Sequence, residues 1–170
     1  IVIVISQIGF LLFKAAPAIP EANFTSANWD PTQGEGSFGL LALIYGSVAV
    51  TIGAMFFAIP TGIAIAIFIS EIAPPQIKGY LKGTVEILSG IPSVVYGYFG
   101  LTHLVPLVEK ISPNNYGDSL LAGSILLAIM ALPTIISVSE DAMSVVPGAF
   151  REASLGVGAT RWQTISKVVV

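Results

Sequence analysis

Few side chains in this sequence could do chemistry, and they are poorly placed for it. There is no cysteine and only one histidine, His103, which excludes a thiolate zinc site, an iron–sulfur cluster, a disulfide framework and a histidine metal site. No histidine stands where it could activate a serine in a triad. Glu140 and Asp141 are adjacent, so on a helix their carboxylates would point about 100° apart, a poor acid–base pair. His103 lies near the end of an apolar run and reads as an interfacial histidine without a functional role. The chain therefore reads as a non-enzyme, with no catalytic residue, metal or cofactor assigned.

Two stretches do carry organised signal. In Leu88-Ser89-Gly90-Ile91-Pro92-Ser93 a helical pattern is interrupted by glycine and proline. Pro92 suits the first turn of a helix, and Ser89 or Gly90 could cap it. That would make a broken helix whose free N–H groups face a polar cavity, a recurrent way to bind anions inside membranes. Ser89, Gly90, Pro92 and Ser93 are thus candidates to line such a cavity. A kink that merely lets two helices approach is the alternative, and Tyr96, Gly97, Tyr98 and Gly100 read as packing residues. The second stretch runs from Pro147 to Gln163. Pro147 can open a short helix, Gly156 or Gly158 can end it, and Thr160 with Gln163 has the spacing of a capping box that starts another. In the second helix Trp162, Ile165 and Val169 are expected on one face. Helices this short need a partner surface, which points to docking on another protein or back onto the chain's own bundle.

The elements that must position these stretches are set by composition. Of 170 residues 54% are hydrophobic and 10% charged, against roughly 25% charged in a soluble domain, so the chain reads as a membrane protein. Seven Lys and Arg against ten Asp and Glu leave a net charge of −3, which excludes nucleic acid as a partner. An isolated charge at the bilayer centre costs about 2.5 to 3.5 kcal/mol, so charge-free runs locate the spans. They are residues 1–13, read as the rear of a truncated helix, then about 38–70 within the run Gly36 to Ser70, 87–108 and 119–139. The second is longer than a bilayer is thick, and Pro60 inside it predicts a kink. Gly53, Gly62, Ala122 and Gly123 are expected where helices touch. Lys78, Lys82, Arg151, Arg161 and Lys167 follow the second and fourth runs, while only Lys14 and Lys110 follow the others. The positive-inside rule then makes 71–86 and 140–170 cytoplasmic, and 14–35 and 109–118, with Ser112-Pro113-Asn114-Asn115, outward loops. The expected fold is all-α: a polytopic transmembrane helical bundle, one partial permease-like domain over 1–170 that is a fragment of a longer polypeptide.

The second stretch also resembles a known family. Glu152-Ala153-Ser154, three residues, Gly158, nine residues, then Val168-Val169-Val170 is similar to the EAA loop of type I ABC importer permeases: Glu-Ala-Ala, three residues, Gly, nine residues, Ile, any residue, Leu, Pro. Ser154 departs from the second alanine, Val168 and Val170 replace Ile and Leu, and the proline would fall after Val170. Gly39 with Ile44-Tyr45-Gly46-Ser47, Ala58-Ile59-Pro60-Thr61-Gly62-Ile63-Ala64, Glu71-Ile72-Ala73-Pro74 and Glu86 to Gly97 resemble the phosphate permease of the PstC type, as does Trp29-Asp30-Pro31.

The resemblance implies one half of a heterodimeric phosphate channel in the plasma (inner) membrane of a bacterium or archaeon, multi-pass and surrounded by membrane lipid. Implied partners are a PstA-type sister permease, a PstB-type ATPase dimer and an extracytoplasmic PstS-type phosphate-binding protein. Glu152, Ala153 and Gly158 carry over as the ATPase-coupling site, a lever pushed as the ATPase dimer closes on ATP. The charged membrane residues associated with phosphate in that family lie in the helix after the EAA loop. Two alternatives stand beside this reading: an ABC permease for sulfate, molybdate or a polyamine, and an ATP-independent transporter with broken helices.

Overall fold

The structure, a computed structural model, describes residues 2–16, 22–30, 37–111, 117 and 119–170. Pro31 and the loop residues Ser112, Pro113, Asn114 and Asn115 lie outside the described residues, as does Ile1. The chain divides into two compact units, residues 1–49 and 50–170.

The first unit opens with α1, Val2–Ala15, which is strongly apolar and has no buried residue. Lys14 stands in its last turn, where a cation complements the helix dipole. Three very short strands follow: β1 (Ala22–Asn23), β2 (Trp29–Asp30) and β3 (Ser37–Gly39), in the order β1-β3-β2. β1 runs parallel to β3 and β2 antiparallel to it. This small sheet stands in and beside a segment read from sequence as plain loop. Gly39 makes it possible: its N–H donates to the Asn28 carbonyl at 2.9 Å, and a Cβ there would lie 2.5 Å from both the Asn28 and Ser26 oxygens. Only a residue without a side chain lets β3 come so close to the segment 26–28 that leads into β2.

Helix α2, Leu41–Ile67, begins in the first unit and continues as a π-helical turn over Phe68–Ile72. At 1.5 Å per residue this continuous helix is nearly 50 Å long, against a hydrocarbon core of about 30 Å. It passes through Pro60, and the Thr61 hydroxyl donates to the Phe57 and Ala58 carbonyls in the turn where proline removes a donor.

In the second unit α3 (Pro75–Ser89) is followed by α4 (Ser93–Phe99), a π-helical turn at Gly100–Leu104 and α5 (Val105–Ile111). The segment from Ser93 onward is bent 86° from α3. Helix α6, Leu120–Ser144, is capped by Ser119, whose hydroxyl accepts from the Ala122 N–H. Then come α7 (Gly148–Gly156) and α8 (Arg161–Thr164), the latter running into a π-helical turn at Ile165–Val169. Helices 41–72 and 120–144 are long and apolar enough to cross a membrane, and the bent pair makes up to a third such crossing.

Small residues set the contact between α2 and α6. Ala54 and Ala58 pack with Ala128. A Cβ on Gly53 would collide with Ser124, and one on Gly62 would lie 2.6 Å from Ile135 Cγ2. The Ser124 hydroxyl donates to the Val50 carbonyl at 3.3 Å, Gly123 sits against Val50, and Ala122 is buried. Removing side chains brings the backbones together, so dispersion and a hydroxyl-to-backbone bond replace the hydrophobic drive that lipid does not supply. A larger cluster of Ala66, Ile69, Val85, Ile136, Met143 and Val169 lies toward the charged helix ends.

Candidate functional site: the charged helix ends and the external hairpin

Helix α7 starts at Gly148 after Pro147, which occupies the N-cap with extended backbone. It stops because Gly158 takes φ +89°, a left-handed conformation that ordinary residues rarely adopt. In that turn the Gly158 N–H donates to the Leu155 carbonyl and the Ala159 N–H to the Ser154 carbonyl. Thr160 then begins α8 with a reciprocal capping box: its hydroxyl accepts from the Gln163 N–H at 3.2 Å and its own N–H donates to Gln163 Oε1 at 2.8 Å. The Ser154 and Thr164 hydroxyls lie 3.0 Å apart and join α7 to α8, a bond an alanine at 154 could not make. Glu152, Ala153 and Gly158 are exposed, beside apolar Phe150, Val157 and Trp162, which are also exposed.

The expectation that Trp162, Ile165 and Val169 share one face fails. Val169 is buried in the core cluster while Trp162 is 64% exposed. The π-helical turn from Ile165 is wider than an α-helical one, so it rotates Val169 away from the stripe that an α-helical period would draw.

A cluster of charges ties α7 to the long helices. One guanidinium nitrogen of Arg151, Nη2, donates to Glu71 Oε1 at 2.8 Å and to the Met143 carbonyl at 3.0 Å, while Nη1 donates to the Val146 carbonyl. Lys82 Nζ lies 2.6 Å from Glu140 Oε2 and 2.7 Å from Asp141 Oδ1. Lys78 donates to the Ser70 carbonyl and stands 3.9 Å from the other Glu140 oxygen. Glu140 is buried and its neighbour Asp141 exposed, yet one lysine serves both. Sequence reasoning took Glu140 and Asp141 only as a failed catalytic pair and Glu71 only as part of a block of family resemblance, with no ion pair assigned to it. The available signal was Lys78 and Lys82 at i and i+4 on α3, a single cationic face needing acceptors.

At the break, Ser89 is the last residue of α3 and its hydroxyl donates to the Glu86 carbonyl at 2.7 Å. Gly90 caps α3, so neither residue caps α4; Pro92 takes that place with Ser93 first in the helix. Proline fits there because its extended backbone precedes the helix and it has no N–H to leave unpaired. The Tyr96 hydroxyl donates back to the Leu88 carbonyl at 3.0 Å and fastens the two arms of the bend. Ser89, Gly90, Pro92 and Ser93 are all exposed. Among the described residues no hydrogen bond links them to Glu152, Ala153 or Gly158. His103 stacks on Phe99 with ring centroids 4.6 Å apart and lies 2.7 Å from the Thr102 hydroxyl through Nδ1.

Long apolar helices in contact through small residues, whose charged ends hold an exposed helix-turn-helix, define a helical membrane protein. The chain belongs to the family described as the inner membrane component of binding-protein-dependent transport systems, which matches residues 58–170. It is 50% identical over 162 residues to a probable ABC transporter permease protein, YqgH, of Bacillus subtilis, covering 95% of this chain and 52% of that relative. It is 36% identical to the phosphate transport system permease protein PstC of Mesorhizobium japonicum, over 86% of this chain and 50% of the relative. With a probable PstC of the archaeon Methanocaldococcus jannaschii the identity is 31%, over 96% and 58%. The chain thus spans about half the length of the curated relatives it matches. No solved structure matches it significantly.

Proposed function

We propose that this chain is part of one half of a heterodimeric ABC importer permease that moves inorganic phosphate into the cell. The observation that carries the proposal is the exposed α7–Gly158–α8 hairpin, with Glu152, Ala153 and Gly158 at its surface and apolar Phe150, Val157 and Trp162 beside them. Short helices that leave large apolar side chains in water have a partner to cover them. In this reading the partner is a cytoplasmic ATPase dimer, residues 71–86 and 140–170 face the cytoplasm, and a sister permease and an extracytoplasmic binding protein complete the importer. The break at Ser89, Gly90, Pro92 and Ser93 borders the translocation path. Phosphate as cargo is supported by the names of the PstC relatives.

The test is made in the full-length protein. Glu152→Lys and Gly158→Val are expected to abolish copurification of the ATPase subunit, or to leave it bound with ATP hydrolysis no longer stimulated by the loaded binding protein. Normal copurification and stimulation in both variants would refute the docking assignment. A permease for another solute is the second reading, favoured by one fact: the name of the 50% identical relative states no cargo. Stimulation of hydrolysis by a phosphate-loaded binding protein, compared with sulfate- or molybdate-loaded ones, separates the two.

A further inference from the structure

We propose that Arg151 is a positioning residue, a clasp that makes α7 a rigid extension of the two long helices and so determines how much of the ATPase stroke reaches the bundle. The proposal rests on the coupling reading above but concerns a different residue from those assigned to docking.

The geometry argues it in three steps. Helix α7 has nine residues, none of them buried, and packs mainly against α8 and the turn after it, so core packing does little to fix its angle to the long helices. Arg151 holds it instead, through three acceptors on three separate pieces of chain. These are Glu71 in the π-helical turn that ends α2, the Met143 carbonyl in the last turn of α6, and the Val146 carbonyl in the link to α7. The Met143 carbonyl stands in the last turn of α6 and the Val146 carbonyl just beyond it, a helix end at which a cation is favoured. A guanidinium presents its donors in one rigid plane, so three simultaneous partners fix relative position as well as distance; an ammonium on a flexible stem does not. Glu71 is itself steadied by the Ser70 hydroxyl at 3.2 Å, and its side chain is only 13% exposed. The far end of α7 is held separately by Ser154 on Thr164, and the same segment continues to Val169 in the core. Without Arg151, α7 would keep one attachment and could swing about it while still seated on its partner.

The experiment uses the full-length protein assembled with its ATPase subunits, all other cysteines removed, and spin labels at exposed Ala149 and Ile72. In the otherwise unchanged protein the label-to-label distance distribution is expected to be narrow and the same with and without ATP. In Arg151→Met it should broaden and shift, with Arg151→Lys and Glu71→Gln between the two. The ATPase should still copurify with Arg151→Met, while solute moved per ATP hydrolysed falls about tenfold, within the usual range of a coupling free energy. A distribution as narrow in Arg151→Met as in its parent overturns the proposal. So does a distance that changes with ATP in the parent, or a loss of transport only in proportion to lost complex. Failure of the coupling reading would look different: the parent protein would not bind the ATPase at all, whatever stands at 151.

Discussion

Replacing Lys82 by methionine isolates the interaction that docks α3 on α6. The ammonium lies 2.6 Å from Glu140 and 2.7 Å from Asp141. With an effective dielectric constant near 20, the attraction to Glu140 alone is about 6 kcal/mol. Most of that is offset by desolvating a carboxylate whose side chain is only 4% exposed, so the intact pair contributes little net. Methionine removes the attraction and leaves the desolvation. Lys78, 3.9 Å away, can close on the orphaned carboxylate, and water can enter where a lysine side chain was 38% exposed. The expected destabilisation is therefore about 2 kcal/mol, below the 3–5 typical of a fully buried pair broken on one side. Glu140→Gln keeps the shape and leaves Lys82 with Asp141, for a loss of about 1 kcal/mol. In the double variant the buried charge and its partner are both gone, so the losses should fall short of additivity by about 1 kcal/mol or more. Thermal unfolding of the detergent-solubilised full-length protein, followed for all four members of the cycle, measures this. Additive losses, or a Lys82→Met variant as stable as its parent, would refute the reasoning.

Four further outcomes follow from particular positions. Gly62→Ala is expected to lower the unfolding midpoint, because its Cβ meets Ile135 Cγ2 at 2.6 Å and the overpacking of about 1–3 kcal/mol outweighs the gain in helix propensity. Gly79→Ala, where nothing lies within 4 Å, should raise it by up to about 1 kcal/mol in the same assay. Gly158→Ala should cost about 1–2 kcal/mol from the φ of +89° alone, and Gly158→Asn less, since asparagine tolerates the left-handed region; equal losses would show that the turn is unstrained. Ser93→Cys in a background without other cysteines should react with a small polar thiol reagent in one state of the ATP cycle and be protected in the other, whereas equal labelling would leave the break a simple kink.

Much of the α7–α8 hairpin was legible because its determinants are local. Pro147, Gly158 and the Thr160–Gln163 box act within a turn of themselves, so spacing locates the start of both helices and leaves the end of α7 to Gly156 or Gly158. Gly53 and Gly62 could likewise be read as contact points, since a small residue in an apolar span has few other uses. The cap of α4 was misread because Ser89, Gly90 and Pro92 all suit such a position. Competition for the Ser89 hydroxyl by the Glu86 carbonyl is a matter of where α3 ends.

By itself the sequence determined that the chain is apolar and helical, where its charge-free runs lie, and where a short helix-turn-helix stands. Those properties follow from side-chain transfer energies and backbone preferences that act residue by residue. Only the tertiary structure decided that Arg151 reaches Glu71 across 80 residues, that Lys82 bridges Glu140 and Asp141, and that α3 meets α4 at 86°. An ion pair depends on which helix ends become neighbours, and that is set by how Ala54, Ala58, Gly53 and Gly62 let α2 approach α6, a geometry no single stretch of chain contains.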